Sequence, residues 1–406
     1  MTHINRRQKE EVKRRLKKAS AVVLLGQRQV GKTTLAKEIA REQDADYLNL
    51  REPETAAMLD EKGLRQHVAE SGKHLTILDE IQTRRDLFSA LITLIDDKRE
   101  SKEGRGCFLL LGSSSLSLAN KSNETLKGRV SYVNLDPIDV TEIDMPDDLE
   151  KLWLRGGLPA VFTADSDRDG FDHHRDLVRT LSMNDLSAEG ARGVTPGQVI
   201  NMLRILASCQ GGVINSKEIG EKLDVDRRDV SFCISLLQEL LIVRKLDAYG
   251  RSRVKNIAKS PKIYLCDSGT LHYLLRAEKI SSLTPLMAGM SWEGFVIENI
   301  LRHIDLEIDK YFYRTKKGVE IDLILRDPMR ETWAIEIKKG TPDVSDGFYK
   351  AVQDIQPKRS FLVHGRPDLP RRENQHGIEI ISLLDMCREA EKHFGPSAVA
   401  QPLNQV

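Results

Sequence analysis

The stretch at residues 20–35, SAVVLLGQRQVGKTTL, decides the fold of the first third of the chain. It begins with a continuous apolar run that ends in glycine, as expected of a strand buried on both faces of a sheet. A helical pattern starts at Lys32. Between the two, GQRQVGKTT fits the pattern G-x-x-x-x-G-K-[ST], in which backbone amides and a helix N-terminus surround phosphate oxygens. The stretch therefore predicts a phosphate-binding loop between a strand and a helix.

The residues of this loop have separate chemical roles. Gly26 and Gly31 allow the tight turns that bring backbone amides to the phosphate oxygens. Lys32 is expected to bind the β- and γ-phosphates of ATP or GTP, and the Thr33 hydroxyl to coordinate Mg²⁺. A chance match is the alternative, and the strand before the loop and the helix after it argue against chance. The predicted nucleotide-binding residues are Gly26, Gln27, Arg28, Gln29, Val30, Gly31, Lys32, Thr33 and Thr34.

Residues 20–136 alternate between strand-like and helix-like segments. The strand-like segments are SAVVLLG, ADYLNL, HLTILDE, CFLLLGS and SYVNL. Helical patterns separate them, and this alternation is typical of a parallel sheet with helices on both faces. The sequence therefore predicts an α/β fold, with a P-loop parallel-sheet domain and a helical extension at residues 1–195.

Two acidic residues end the third of these segments. Asp79 is expected to hold Mg²⁺ through water, and Glu80 to polarise the water that attacks the γ-phosphate. A helix cap is the alternative for such a pair, but the loop upstream favours the catalytic role. Arg129 would supply a cation for the charge of the transition state. The rivals for that cation are Arg84, Arg85 and Arg155.

Four of these motifs carry a family resemblance. GQRQVGKTTL, ILDEIQ, LLGSSS and LKGR, in this order and spacing, resemble the AAA-type ATPases (AAA_14) of bacteria and archaea that carry a C-terminal domain called DUF4143. GGLPAVF and SWEGFVIENI match later landmarks, so the resemblance covers essentially the whole chain. Gln27 replaces the proline that is usual in that family, which changes the stiffness of the loop and no phosphate contact. The resemblance implies an ATPase core with an appended domain similar to PD-(D/E)XK nucleases.

The middle of the chain, residues 196–285, predicts a winged-helix module. A first helix at residues 216–223, a short turn and a second helix from Arg227 form a helix-turn-helix pattern. Arg227, Arg228 and Ser231 stand where side chains of a recognition helix reach the major groove of DNA. The alternative is a module that only packs beside the ATPase core. A basic segment for DNA phosphates follows at Arg251, Arg253 and Lys255.

The stretch at residues 319–340, VEIDLILRDPMRETWAIEIKKG, reads as two strands with a metal-dependent active site. Glu336 and Lys338 share one face of the second strand, and Asp322 lies on the first. If the strands pair, the three side chains converge, so that two carboxylates can hold Mg²⁺ or Mn²⁺ and Lys338 can orient water. An exposed hairpin without chemistry is the alternative.

An acid from the preceding helix often completes such a site. Glu293 matches the family landmark better than Glu298, although Trp292 stands where the landmark has phenylalanine. The sequence therefore predicts a mixed α/β, restriction-endonuclease-like domain at residues 286–406. Its predicted metal ligands are Asp322, Glu336 and Glu293, beside Thr33 and Asp79 at the ATP site.

The composition excludes several other classes of protein. The net charge of +1 gives no overall attraction to nucleic acid, so DNA contact must come from local patches; residues 6–18, RRQKEEVKRRLKK, are one such patch or a solvated helix face. Five scattered cysteines argue against a zinc ribbon or a disulfide framework. No apolar run approaches a membrane span, which favours the cytoplasm.

We expect an ATPase coupled to DNA binding or processing, with a metal-dependent nuclease as a further activity. The alternative is a nucleotide-dependent switch with an inactive nuclease-like domain that binds a protein partner. A homo-oligomer is expected if an arginine acts in trans.

Overall fold

The structure is a computed structural model, and it describes residues 4–100, 104–112, 126, 128–185, 194–250, 260–329, 331–340, 342–366 and 368–396. The chain folds into two units, each with its own packed interior. The first unit is Met1–Ile138 with Glu239–Leu241, and the second is Asp139–Gln238 with Ile242–Val406. This division differs from the three predicted domains, because residues 139–195 join the second unit and the two later domains share it.

The first unit is built on five strands: β1 (Ala21–Leu25), β2 (Asp46–Asn49), β3 (Thr76–Asp79), β4 (Phe108–Leu111) and β5 (Val130–Asn134). They pair in parallel in the order β2–β3–β4–β1–β5. Strands β1 to β4 lie within the first four apolar segments of the sequence and β5 begins one residue before the fifth, so the predicted parallel sheet is confirmed. All residues of β3 and β4 are buried, as expected of inner strands covered on both faces.

The α-helices in the described part of this unit are α1 (Gln8–Leu16), α2 (Lys32–Gln43), α3 (Pro53–Met58), α4 (Glu61–Glu70) and α5 (Phe88–Glu100), and all of them except α3 pack buried side chains against the sheet. Alternate side chains of β1 enter different cores, as the period of a strand requires. Val22 and Leu24 join the buried side chains of α1 and α2, and Val23 joins those of α4 and α5. The phosphate-binding loop therefore lies between a strand buried on both sides and the helix α2.

The basic segment at residues 6–18 is part of the packed structure. Val12 and Leu16 are buried in the core beneath α1. Lys9 and Lys13 both pair with Glu42 of α2, each at 2.5 Å. The segment thus joins α1 to the sheet and to α2, and much of its positive charge faces acidic partners.

The second unit begins with a largely helical region. Its helices are α6 (Leu149–Arg155), α7 (Pro159–Phe162), α8 (Asp167–Thr180), α9 (Pro196–Ser208), α10 (Ser216–Leu223), α11 (Arg227–Glu239), α12 (Ser268–Leu274) and α13 (Pro285–Leu301). Asn215 caps α10 by accepting a hydrogen bond from the Lys217 amide. Asp224 ends α10 in the left-handed conformation at φ 52°, and α11 begins three residues later. The helix–turn–helix pattern of the sequence is therefore confirmed at the level of its helices.

An eight-stranded mixed sheet completes the second unit. Its strands are β6 (Val243–Ala248), β7 (Lys262–Leu265), β8 (Asp309–Arg314), β9 (Glu320–Arg326), β10 (Thr332–Lys338), β11 (Arg359–His364), β12 (Arg372–Glu373) and β13 (Ile378–Ser382), in the order β12–β13–β11–β10–β9–β8–β6–β7. Helices α14 (Asp346–Ile355) and α15 (Leu383–Phe394) accompany its later strands. Because β6 pairs in parallel with β8, the strands that follow the helix–turn–helix pair extend the C-terminal sheet. This pairing explains why the two predicted domains form one unit.

None of the helices in the described ranges combines the length and the apolar character that crossing a bilayer requires.

A buried polar network links α6, α12 and α13. The Nδ1–H of His272 donates to the Leu154 carbonyl at 2.9 Å, and the Ser291 hydroxyl lies 2.7 Å from His272 Nε2. The Trp153 indole N–H donates to the same hydroxyl oxygen at 3.0 Å. Burial lowers the pKa of His272 to about 4. The network therefore holds the neutral imidazole.

We expect acid to destabilise the second unit through His272. Its folded pKa of about 4 lies below the ordinary 6.5, so the neutral ring contributes stability above pH 6.5 that is lost as the pH falls toward 4. At 1.36 kcal/mol per pKa unit, the loss between pH 7.5 and pH 5 is about 2 kcal/mol. Urea unfolding followed by tryptophan fluorescence reports this unit, because Trp153, Trp292 and Trp333 all belong to it.

The comparison is between wild type and His272→Asn, which removes the imidazole. The pH dependence of the variant should be smaller by about 2 kcal/mol. A substitution of the exposed His376 by asparagine is the matched control and should follow the wild type. Equal pH dependence in wild type and His272→Asn would contradict the prediction.

Candidate functional site

The phosphate-binding loop follows β1 and enters α2 at Lys32. Gly31 has a φ of 99°, in the left-handed region where a side chain would be strained. A Cβ on Gly26 would lie 2.5 Å from the Leu135 carbonyl oxygen, closer than a carbon atom can approach. Both glycines of the motif are therefore required by the geometry of the loop.

Lys32 and Gln27 are buried donors inside this loop. The Lys32 ammonium donates to the carbonyl oxygens of Gly26 and Gln27, at 2.8 and 2.9 Å. Burial lowers the pKa of Lys32 to about 8, although Glu80 and Asp79 attract its positive charge. Within the part of the chain that the structure describes, no acceptor lies within hydrogen-bond distance of the buried Gln27 Nε2. The loop thus holds donors that suit phosphate oxygens.

The residues predicted to hold Mg²⁺ meet at the carboxyl ends of the strands. The Thr33 hydroxyl donates to Asp79 Oδ2 at 2.7 Å, and Asp79 is buried at the end of β3. The Tyr47 hydroxyl donates to the same oxygen at 2.6 Å. Burial and the Asp79 carboxylate raise the pKa of Tyr47 well above its usual range. The set of a hydroxyl and a carboxylate fits a hard cation such as Mg²⁺.

Glu80 is held beside this pair by partners that the sequence did not indicate. Its backbone is left-handed, with φ 63°, which is uncommon for a residue with a side chain. The Glu80 carboxylate forms an ion pair with Arg51 at 3.1 Å and accepts a hydrogen bond from the Gln82 amide. Arg51 and Arg28 also repel the charge of Lys32. The cations at this edge of the sheet are therefore Lys32, Arg28 and Arg51.

Arg129, the cation chosen from the sequence, lies at the other edge of the sheet. It precedes Val130, which pairs with Ala21 at the start of β1, whereas the loop follows the end of β1. Strand β1 separates the two places by about 13 Å, at about 3.3 Å per residue. The Arg129 guanidinium pairs with both oxygens of Asp96 at 2.9 Å. This arrangement places Arg129 away from the phosphate-binding loop of its own chain, which corrects its predicted role there.

Two of the rival arginines have structural partners. Arg84 donates to the carbonyl of Ala56 at 2.8 Å, donates to that of Leu59, and pairs with Asp86. It therefore fixes the segment between α3 and α4. Arg155 belongs to the second unit and pairs with Asp167 at 2.7 Å.

The first turn of α11 presents polar side chains to solvent. Arg227, Arg228 and Ser231 are exposed, whereas Val230 and Ile234 of the same helix are buried. The Asp226 carboxylate accepts a hydrogen bond from the Arg228 amide at 2.7 Å, which fixes the start of the helix. The predicted phosphate contacts Arg251, Arg253 and Lys255 lie outside the described residues.

Asp322, Glu336 and Lys338 of the C-terminal domain lie on two paired strands. The ladder between β9 and β10 ends at the pair Leu323 and Ile335, and Asp322 and Glu336 follow as the next opposed residues. The Ile337 amide donates to Asp322 Oδ2 at 2.8 Å. Glu336 is buried, and Lys338 forms an ion pair with it at 2.9 Å. These contacts bring the two carboxylates and the lysine to one end of the strand pair.

Glu293 reaches this cluster from α13, but it already has partners. The Lys262 ammonium lies 2.9 Å from Glu293 Oε1, and the Tyr264 hydroxyl donates to the same atom at 2.6 Å. Both partners are on β7, and sequence reasoning missed them because KIYL carries no motif. The alternative residue, Glu298, instead forms a buried ion pair with Arg244.

The predicted metal ligands of this cluster do not form a chelating group. Among the described residues, the group of three whose ligand atoms all lie within 4.8 Å of one another is Asp327, Glu331 and His393. In that group the carboxylate of Glu331 accepts from Lys358 at 2.7 Å and lies 3.0 Å from His393 Nε2. Asp322, Glu336 and Glu293 therefore do not offer three ligand atoms to one ion in this arrangement of the described residues.

Comparison with known proteins relates most of the chain to three family models and to two curated relatives. Family models match an AAA domain at residues 18–144, a domain of unknown function (DUF8612) at 146–281 and a domain of unknown function (DUF4143) at 288–385. Two curated relatives are the uncharacterized proteins Rv2008c of Mycobacterium tuberculosis and Mb2031c of Mycobacterium bovis. Each is 33% identical over 357 residues, which cover 87% of this chain and 78% of the relative.

A solved structure with a distant likeness is the Walker-type ATPase paby2304 of Pyrococcus abyssi. The two chains are 15% identical, with a TM-score of 0.47, over 67% of this chain and 96% of that one.

Proposed function

Since the chain belongs to the same family as the uncharacterized protein Rv2008c and carries an AAA domain, we propose that it binds and hydrolyses ATP with Mg²⁺ and that its nucleotide state controls a contact with DNA. The observation that supports the ATPase part is the meeting of Thr33 and Asp79 beside the buried Lys32, at hydrogen-bond distance. These are the residue types that phosphoryl transfer requires, at the edge of the sheet where parallel strands end.

In this mechanism the protein binds the phosphates, orients water and stabilises charge. Lys32 exchanges its bonds to the loop carbonyls for phosphate oxygens, and a pKa of about 8 leaves it mostly charged at neutral pH. The Thr33 hydroxyl and Asp79 would hold Mg²⁺, which would neutralise part of the phosphate charge when bound. The Glu80 carboxylate leaves its ion pair with Arg51 and then accepts the proton of the attacking water. Arg51 is then free to stabilise the negative charge of the transition state from the same chain.

The order of elements around α11 supports the proposed DNA contact. Helix α9, a single bridge between Val213 and Lys262, helices α10 and α11, and the antiparallel pair β6–β7 follow one another as in a winged-helix module. Arg227, Arg228 and Ser231 are exposed at the N-terminal end of α11, the part of a recognition helix that enters the major groove. We propose duplex DNA as the partner of this surface. The cytoplasm is the proposed location.

Replacing Arg227 and Arg228 together by alanine should weaken binding to duplex DNA at least about tenfold at moderate salt. Because two cations are removed from the proposed DNA surface, the dependence of binding on salt should also become weaker. Fluorescence anisotropy of a labelled duplex at several salt concentrations measures both quantities.

The control is the double substitution Arg168→Ala with Arg175→Ala, which removes the same charge from exposed positions on α8. It should bind DNA like the wild type. If the two double variants lose the same affinity for duplex DNA, binding depends only on net charge. That result would reject the proposed contact through α11.

A metal-dependent nuclease is the second candidate function of the C-terminal domain. The opposed Asp322 and Glu336, with Lys338 at 2.9 Å, favour it. The buried ammonium of Lys262 among the neighbouring carboxylates weighs against it, because that place would be needed by the metal. We therefore propose that this domain does not cut DNA in the arrangement seen here.

A further inference from the structure

Lys262 is a buried lysine surrounded by carboxylates. Its side chain is 3% exposed, and its ammonium lies 2.9 Å from Glu293 Oε1 and 2.7 Å from Glu320 Oε1. The Phe312 ring lies beneath it, with the centroid 5.5 Å from the ammonium. A charged group this deeply placed is tolerated only when it is paired.

Asp322 adds a third carboxyl group to this environment. It lies two residues after Glu320 on the same face of β9. Lys262 of β7 thus supplies positive charge to an acidic cluster that two other elements, α13 and β9, build together.

The packing around Glu293 holds this arrangement in place. Tyr264, two residues after Lys262 on the same face of β7, donates to the Glu293 oxygen that Lys262 also contacts. Gly211, with φ 67°, brings its backbone close: a Cβ there would lie 3.4 Å from the Tyr264 ring and 3.6 Å from Glu293 Oε1. Glu293 is therefore oriented toward the lysine by neighbours on two sides.

A divalent ion and this ammonium cannot share the cluster. Oε1 of Glu293, one of the predicted metal ligands, already accepts from Lys262 at an ammonium distance, whereas Mg²⁺ requires oxygens at about 2.0–2.1 Å. A divalent ion on Glu293 would face strong repulsion from Lys262, because burial leaves little water to screen it. The chain itself therefore already provides a cation for Glu293 and for the neighbouring Glu320.

We propose that the Lys262 ammonium is the built-in cation of this cluster and occupies the place where a working nuclease would hold its metal ion. Ion pairs of Lys262 with Glu293 and Glu320 then hold β7 against α13 and β9, and the cluster binds no divalent ion. The inference rests on the proposed function, in which this domain does not cut DNA, and it identifies Lys262 as the residue that excludes the metal ion.

Manganese binding tests the inference directly. The full-length chain, freed of metal with EDTA and without nucleotide, is titrated with Mn²⁺ while free Mn²⁺ is read from its EPR signal. The proteins compared are wild type, Asp322→Asn, Lys262→Met and the double variant. Wild type and Asp322→Asn should bind the same number of Mn²⁺ ions. Lys262→Met should bind one more Mn²⁺ ion per chain than wild type. The double variant should not bind this additional ion. Because Asp322 is remote in sequence from the phosphate-binding loop and belongs to the second unit, this comparison isolates the cluster.

Two results would overturn the inference. One is a Mn²⁺ ion in wild type that Asp322→Asn removes, and the other is a folded Lys262→Met that binds no more Mn²⁺ than wild type. If circular dichroism shows that Lys262→Met does not fold, Lys262→Met with Glu320→Gln replaces it, and the comparison of wild type with Asp322→Asn decides in any case. Mn²⁺ bound by wild type without DNA cleavage would overturn only this inference, whereas cleavage abolished by Asp322→Asn would also reject the proposed absence of cutting.

Discussion

Replacing Lys32 by alanine should lower the rate of ATP hydrolysis by about 10²–10³-fold, the usual loss when one positioned donor to a developing charge is removed. Lys32 is the buried cation of the phosphate-binding loop, and its ammonium already lies among the loop carbonyls at 2.8 and 2.9 Å. The methyl group of alanine can replace neither the hydrogen bonds nor the positive charge of Lys32. The substitution should therefore weaken nucleotide binding as well as the chemical step.

Phosphate release at several Mg–ATP concentrations measures both losses. The control is Lys62→Ala, which removes the same charge from an exposed position on α4 and should leave the rate unchanged. Because Lys32 also braces the loop, circular dichroism must show that the variant is folded. Equal rates in folded Lys32→Ala and Lys62→Ala would reject ATP hydrolysis at this loop.

The first unit could be predicted from the sequence because its signals are local. Each strand is a short apolar run, and the loop motif fixes its own position between β1 and α2. Tyr47 and Arg51 were missed because their role depends on β2 lying beside β3, a pairing that periodicity does not provide. Arg129 was misplaced although a local signal existed: a residue that precedes a parallel strand lies at the edge opposite to the phosphate-binding loop.

The second unit shows where local signals end. The bounds of α10 and the start of α11 follow from capping and apolar spacing, and both agree with the sequence. Asp322 and Glu336 lie on the neighbouring strands β9 and β10, which adjacent apolar runs in the sequence indicated. Local sequence signals could not identify Lys262 as a partner of Glu293 and Glu320. Lys262 contacts them only because β6 pairs with both β8 and β7, which places β7 at the edge of the sheet. Long-range pairing of strands therefore separates the predicted site from the observed one.

Replacing Lys262 by methionine should lower the free energy of unfolding of the second unit by about 3 kcal/mol. Removing one partner of a buried ion pair typically costs about 3–5 kcal/mol, because the other charge stays buried without compensation. The side chains of Glu293 and Glu320 are 20% and 29% exposed, so solvent relieves part of the cost and the lower end applies. Methionine keeps the length of the side chain, so little of the loss should come from packing.

Urea unfolding followed by tryptophan fluorescence measures this loss, with the exposed Lys350→Met as a control that should stay within about 0.5 kcal/mol of wild type. A loss below about 1 kcal/mol would mean that Lys262 does not balance the charge of this cluster.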